Sequence, residues 1–131
     1  MPCNLYGPKD NYHPENSHVI PGLIRRFHSA GERPVKCWGD GSPMREFLYV
    51  DDFADACLFA ISHYEEADLI NVGSGEDIPI KELAKIIAEI TSYKGEILWD
   101  LSKPNATPKR SLAYSKSSSL GWKPKYKLKK G

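Results

Sequence analysis

The chain has 131 residues, 40% hydrophobic and 27% charged, a composition suited to one globular domain and unsuited to a disordered tract or a membrane protein. Eighteen Lys and Arg against seventeen Asp and Glu leave a formal charge of +1, so bulk charge gives no reason to expect nucleic acid or an anionic membrane as partner. Cys3, Cys37 and Cys57 cannot all pair within the chain and match no zinc-ligand spacing, which points to a reducing compartment, most simply the cytoplasm.

The opening MPCNLYGPKD lacks the basic and apolar regions of a signal peptide, and no apolar run approaches the roughly 18 residues of a membrane span. Pro2 to Tyr6 reads as a short buried strand running into a Gly7-Pro8 turn, with no leading sequence to pair beside it, so the chain is expected to begin mid-fold. Lys9 to Ser17 is polar and irregular, a loop. Asn16 or Ser17 can cap a helix from His18 to Ala30, with Pro21 in its first turn, an apolar stripe at Val19, Leu23 and Phe27, and Arg25, Arg26 and His28 off that stripe.

Val35 to Trp38 is a short strand, Gly39 to Pro43 carries turn chemistry, and Arg45 to Val50 alternates like a half-buried strand. A helix from about Asp52 to Tyr64 repeats apolar residues at Phe53, Cys57, Ala60, Ile61 and Tyr64, with an acidic start suited to the helix dipole. Leu69 to Gly73 reads as a buried strand leaving the sheet at Gly-Ser-Gly. The next helix admits Pro79 in its first turn and has the clearest stripe, at Ile80, Leu83, Ile86, Ile87 and Ile90. Glu96 to Asp100 is a strand, Ser102 to Arg110 a loop, and Ser115 to Leu120 a helical turn or two. Lysines crowd 123–131, a flexible basic tail. Alternating strands and helices give an α/β class, while short strands and long loops argue against a complete doubly wound sheet.

Chemistry-bearing motifs are sparse. Gly39-Asp40-Gly41 and Gly73-Ser74-Gly75 begin a dinucleotide fingerprint, but Met44 and Ile78 replace its third glycine, so both read as turns. Tyr126 and Lys130 match Tyr-x-x-x-Lys only inside a terminal lysine run. The four histidines make no i, i+4 pair that would hold a metal. His18 sits at a loop-to-helix junction and can exchange a proton near neutral pH, against the plain alternative of a polar residue near a helix start. Arg25, Arg26 and Arg45 suit anion recognition through their guanidinium forks, or ion pairs with Glu46, Asp51 or Asp52. Trp38 serves equally as a stacking face or a core residue.

Taken in order, Asn4-Leu5-Tyr6-Gly7-Pro8, then His13-Pro14-x-Asn16-Ser17-His18-Val19-Ile20-Pro21, then Trp38-Gly39, Pro43-Met44-Arg45-Glu46-Phe47-Leu48, Val50-Asp51-Asp52 and Ile70-Asn71-Val72-Gly73, the sequence resembles the GDP-L-fucose synthases. These belong to the extended short-chain dehydrogenases acting on nucleotide sugars. The resemblance covers nearly the whole chain and fades after about residue 110. It implies the C-terminal, substrate-binding part of a Rossmann-type α/β fold over 1–131, with an incomplete sheet, including the last strands of a dinucleotide-binding domain whose remainder is missing.

That family epimerises GDP-4-keto-6-deoxy-D-mannose at carbons 3 and 5 and reduces it with NADPH. The resemblance puts His18 at proton transfer, Pro2, Cys3, Asn4, Leu5 and His18 at the nicotinamide end of NADP, and Arg26, Trp38, Arg45 and Asn105 on the GDP-sugar. Cys3 falls where the family has Thr and is not its catalytic Cys; that Cys, the Gly-rich loop and the Ser-Tyr-Lys set lie upstream of the matched stretch, so the chain alone is expected to be inactive. Two departures are Asn105 for the family's Asp and Ala113 where an Asp is usual. Other nucleotide-sugar epimerases or dehydratases and a non-catalytic binding module are the alternatives. The family is homodimeric; for this chain, self-association or a partner supplying the missing half is expected, because open strand edges invite pairing.

Overall fold

The computed structural model describes residues 1–110 and 115–131 and is α/β, as expected. In chain order it has β1 (Asn4–Tyr6), α1 (Val19–Ala30), β2 (Val35–Trp38), β3 (Met44–Tyr49), α2 (Val50–His63), β4 (Asp77–Pro79), α3 (Ile80–Ile90), β5 (Ile97–Asp100), β6 (Lys109–Arg110) and α4 (Ser115–Ser119). The Ala113 departure lies outside the described residues. Two compact units form, one from 1–8, 45–77 and 110–131, the other from 9–44 and 78–109.

In the first unit β1 pairs in parallel with β3, with Asn4 opposite Phe47, Leu5 opposite Leu48 and Tyr6 opposite Tyr49. The expected strand at Leu69 to Gly73 reduces to a single bridge between Pro2 and Val72, with Cys3 N–H donating to Val72 O at 3.0 Å and Val72 N–H to Met1 O at 2.9 Å. Only Val72 and Gly73 of that run are buried, Val72 with Leu48, Ala56 and Trp122; Leu69 is 82% exposed.

Helix α2 corrects a second expectation. Its inward face carries Asp52 and Ala56, while Cys57 and Ile61 of the expected stripe face solvent. Buried Asp52 is matched by chain arriving from far along the sequence. Its carboxylate accepts the Lys125 and Tyr126 N–H groups at 3.0 and 2.9 Å, a charge-assisted arrangement that makes burial of the acid tolerable. Nearby Asp55 takes the Trp122 indole N–H at 3.1 Å and the Lys125 ammonium at 2.7 Å. Tyr6 donates to Leu128 O at 3.2 Å, and the Tyr49 and Tyr126 rings lie 4.9 Å apart. Residues 123–131, read from composition as a flexible basic tail, thus carry a set of specific anchors.

In the second unit β2 and β5 pair in parallel, Val35 opposite Ile97 through Trp38 opposite Asp100, and α1 packs on α3. Leu23 and Phe27 of α1 are buried, as are Leu83, Ala84 and Ile87 of α3, so the two strongest sequence stripes face inward in the main, while Ile90 at the end of the second is 61% exposed. Phe27 stacks on Tyr93 at 4.8 Å, and the Tyr93 hydroxyl sits 2.7 Å from Arg33 O and 2.9 Å from Glu96 O. The helix starts differ from expectation. His18 is the N-cap of α1 and Pro79 that of α3, neither with a side-chain capping bond, so the expected cap at Asn16 or Ser17 does not form. Proline suits the second start, since it lacks an N–H to leave unsatisfied.

Candidate functional site

The second unit holds a cavity of about 580 Å³. Helical periodicity sets one wall: residues 18 and 19, 22 and 23, and 25 and 26 of α1 share a flank, so His18, Gly22, Arg25 and Arg26 all border it. Strand alternation sets the facing wall, where β2 turns Cys37 inward and leaves Trp38 open. Trp99 of β5, Ile80 of α3 and the loop residues Pro14, Glu15 and Ser17 close the rest. Gly22 allows the close approach here, since a β-carbon on it would stand 2.9 Å from Ser17 Oγ.

Four residues singled out from sequence therefore meet: His18, Arg25, Arg26 and Trp38. His18 is exposed at the cavity's edge, its carbonyl accepting the Gly22 N–H at 2.9 Å. Arg26 is pinned, its Nε donating to Gly22 O at 3.3 Å and Nη1 to Lys36 O at 3.2 Å, so its fork is oriented in advance. Burial pushes the Cys37 thiol upward, with the Arg26 charge pulling the other way, which keeps that wall neutral. Trp38 is 69% exposed, with the Lys103 ammonium 5.6 Å from the ring centroid, a flat face available to a ring or a sugar.

Asn105 does not line the cavity. Its Oδ1 accepts the Asp40 N–H at 3.0 Å and closes over Gly39, whose φ of 73° and lack of a β-carbon permit the approach. Asp40 is held below the usual carboxylate range chiefly by its bonds to Ser42, so the whole turn after Trp38 is hydrogen-bonded.

Pro2, Cys3, Asn4, Leu5 and Arg45 belong to the first unit. There the Asn4 amide donates to Glu46 O at 2.9 Å. Glu46 is fully buried and accepts the Gly75 N–H at 2.8 Å, which locks the Gly-Ser-Gly turn against β3. Burial, and then the Glu46 charge, push the Cys3 thiol up to about 11, so it stays protonated at neutral pH. Trp99 and Cys37 of the cavity wall went unnoticed in the sequence, although the alternation of β2 and β5 carried the signal. Among the described residues no group of three or more His, Cys, Asp or Glu could hold a metal ion, and no helix is long and apolar enough to cross a membrane.

A family model described as the NAD dependent epimerase/dehydratase family matches residues 1–73, more than half of the sequence. The chain belongs to that family. The resemblance to GDP-L-fucose synthases is borne out as similarity: a probable GDP-L-fucose synthase 1 of Oryza sativa is 54% identical over the whole chain, and GDP-L-fucose synthase 1 of Arabidopsis thaliana 52%. The chain spans 41% and 42% of those two proteins, aligning with their C-terminal part. Among solved structures, a GDP-L-fucose synthetase from Naegleria fowleri bound to NADP superposes with a TM-score of 0.90 at 27% identity, over 98% of this chain and 41% of that one. Family membership accounts for the α/β architecture with short parallel pairs, a partial Rossmann-type sheet.

Proposed function

We propose that the chain is the substrate-recognition part of a GDP-L-fucose synthase, which converts GDP-4-keto-6-deoxy-D-mannose to GDP-L-fucose with NADPH. The observation that carries this is the convergence of His18, Arg26 and Trp38 on one cavity, in a chain 54% identical to a protein of that name. Each type suits one part of a nucleotide sugar. A pinned guanidinium matches phosphoryl oxygens two at a time, an open indole covers a ring, and an exposed imidazole at the edge can take or return a proton beside a ketone.

Epimerisation next to a carbonyl requires proton removal from one face of the sugar and delivery to the other, and in this reading His18 serves one face. Arg45, on β3 of the other unit, is assigned to the same substrate by the resemblance alone. For the cofactor, Pro2, Cys3 and Leu5 are half-buried and carry no charge, the Cys3 thiol remaining neutral. They fit the edge of an uncharged ring such as nicotinamide, and none of them would hold a phosphate. When bound, NADPH supplies the hydride that reduces the keto group; residues 2–5 would border it. The reaction as a whole, the homodimer of the family and a cytoplasmic setting belong to the same proposal.

Amide shifts on titration with GDP, GDP-fucose and UDP test it. GDP and GDP-fucose should move the signals of His18, Arg26 and Trp38 saturably, with UDP weaker. No response in folded protein refutes the assignment, and equal response to UDP refutes the guanine carrier.

A further inference from the structure

The two adjacent arginines of α1 border the same cavity in opposite states. Arg26 is already engaged with two backbone carbonyls. Arg25 makes no hydrogen bond or ion pair with any described residue, and its Nε is sealed from solvent without an acceptor. A buried N–H left unpaired is costly, and a guanidinium cannot shed its proton to escape the cost. Among the described residues Glu15 is the one carboxylate on the cavity wall, and it does not pair with Arg25. The wall thus presents a pinned cation beside an unmatched one, next to the open face of Trp38.

We propose that Arg25 is a specificity-determining residue that donates to the second phosphoryl group of a nucleoside diphosphate, so that the cavity prefers a diphosphate over a monophosphate or a free nucleoside. The inference rests on the nucleotide-sugar reading above and adds a residue that the resemblance does not assign. The physical reason is charge and geometry together. Arg26, held at Nε and Nη1, has its remaining donors aimed in one direction and serves one phosphoryl group, while Arg25 supplies a second fork and a second charge.

The test measures affinity of the chain for GDP, GMP, guanosine and inorganic pyrophosphate by titration calorimetry, for the native sequence, Arg25→Ala and Arg25→Lys, with amide spectra confirming the fold. Arg25→Ala should weaken GDP and pyrophosphate about tenfold, the loss of one charged hydrogen bond, leave guanosine unchanged and narrow the preference for GDP over GMP. Arg25→Lys, which keeps the charge but not the fork, should recover only part of that preference. An unchanged GDP-to-GMP ratio in both variants overturns the proposal, as does an equal loss for guanosine, which would mark a purely structural residue. Should Arg25→Ala fail to fold, the ratio in Arg25→Lys decides alone. Arg25-dependent pyrophosphate binding with GDP no tighter would uphold the phosphate role and sink the nucleotide-sugar reading. GDP binding indifferent to Arg25 would do the reverse.

Discussion

Cys3 stands in the stretch assigned to the cofactor, and its surroundings decide what it can do. Burial and the nearby Glu46 carboxylate both disfavour a thiolate, which is why its value rises to about 11. At pH 8 only about 0.1% is thiolate, against a far larger share for an ordinary thiol. Cys57 is exposed on α2, and Cys37 is buried with its thiol also pushed up. Iodoacetamide at pH 8 should therefore modify Cys57 first, with Cys3 and Cys37 slower by about tenfold or more. As pH climbs toward 11 the Cys3 rate should catch up. Peptide mapping over time reads this directly, and Cys3 labelling as fast as Cys57 at pH 8 would show that its environment is not the closed one described. The stability sign follows: a raised thiol favours the fold below its unfolded value and loses that contribution as pH rises toward 11, with Tyr6 adding the same trend toward 12. None of this was legible in sequence, because Glu46 reaches Cys3 only through the pairing of β1 with β3.

At the scale of elements, α1 and α3 were legible because each has one apolar stripe and no competitor. Helix α2 was not. Its sequence offers two faces, and helical spacing alone favoured Cys57 and Ile61 over Asp52 and Ala56, although Phe53 of the same stripe does pack against the core. The deciding fact is non-local, since Asp52 can be buried only because two backbone amides arrive from residues 125 and 126. Removing its acceptors by Asp52→Ala should cost about 2–4 kcal/mol, the range for two hydrogen bonds to a charged group left without their acceptor. Asp52→Asn keeps one acceptor oxygen and should cost about half as much. Urea unfolding gives the stability, and hydrogen exchange at the Lys125 and Tyr126 amides should quicken in step. If Asp52→Ala leaves both unchanged, residues 123–131 are the flexible tail that their composition suggests.

At the scale of the whole molecule, the family was legible because its motif residues recur in order from Asn4 to Gly73, whereas of the residues assigned to the site by resemblance only His18, Arg26 and Trp38 share the cavity. Two- and three-residue strands such as β4 and β6 carry no periodicity to read, and Asn105 gave no sign that its oxygen would be taken by the Asp40 amide. Association was expected from open strand edges, and the structure adds a second cause. Ala54, Cys57, Leu58 and Ile61 of α2 recur at i, i+3, i+4 and i+7 and face solvent, Leu58 at 68% and Ile61 at 79% exposure. Burying each large aliphatic side chain is worth about 1.5–3 kcal/mol, enough for two copies of such a stripe to associate at high concentration. Sedimentation velocity over a roughly hundredfold range of concentration should show the mean mass rising toward a dimer. The doubly substituted Leu58→Lys, Ile61→Lys chain, with its apolar stripe broken and its core residues untouched, should remain a monomer with the same circular dichroism. A native chain whose mass stays monomeric throughout that range would mean that this exposed face drives no self-association.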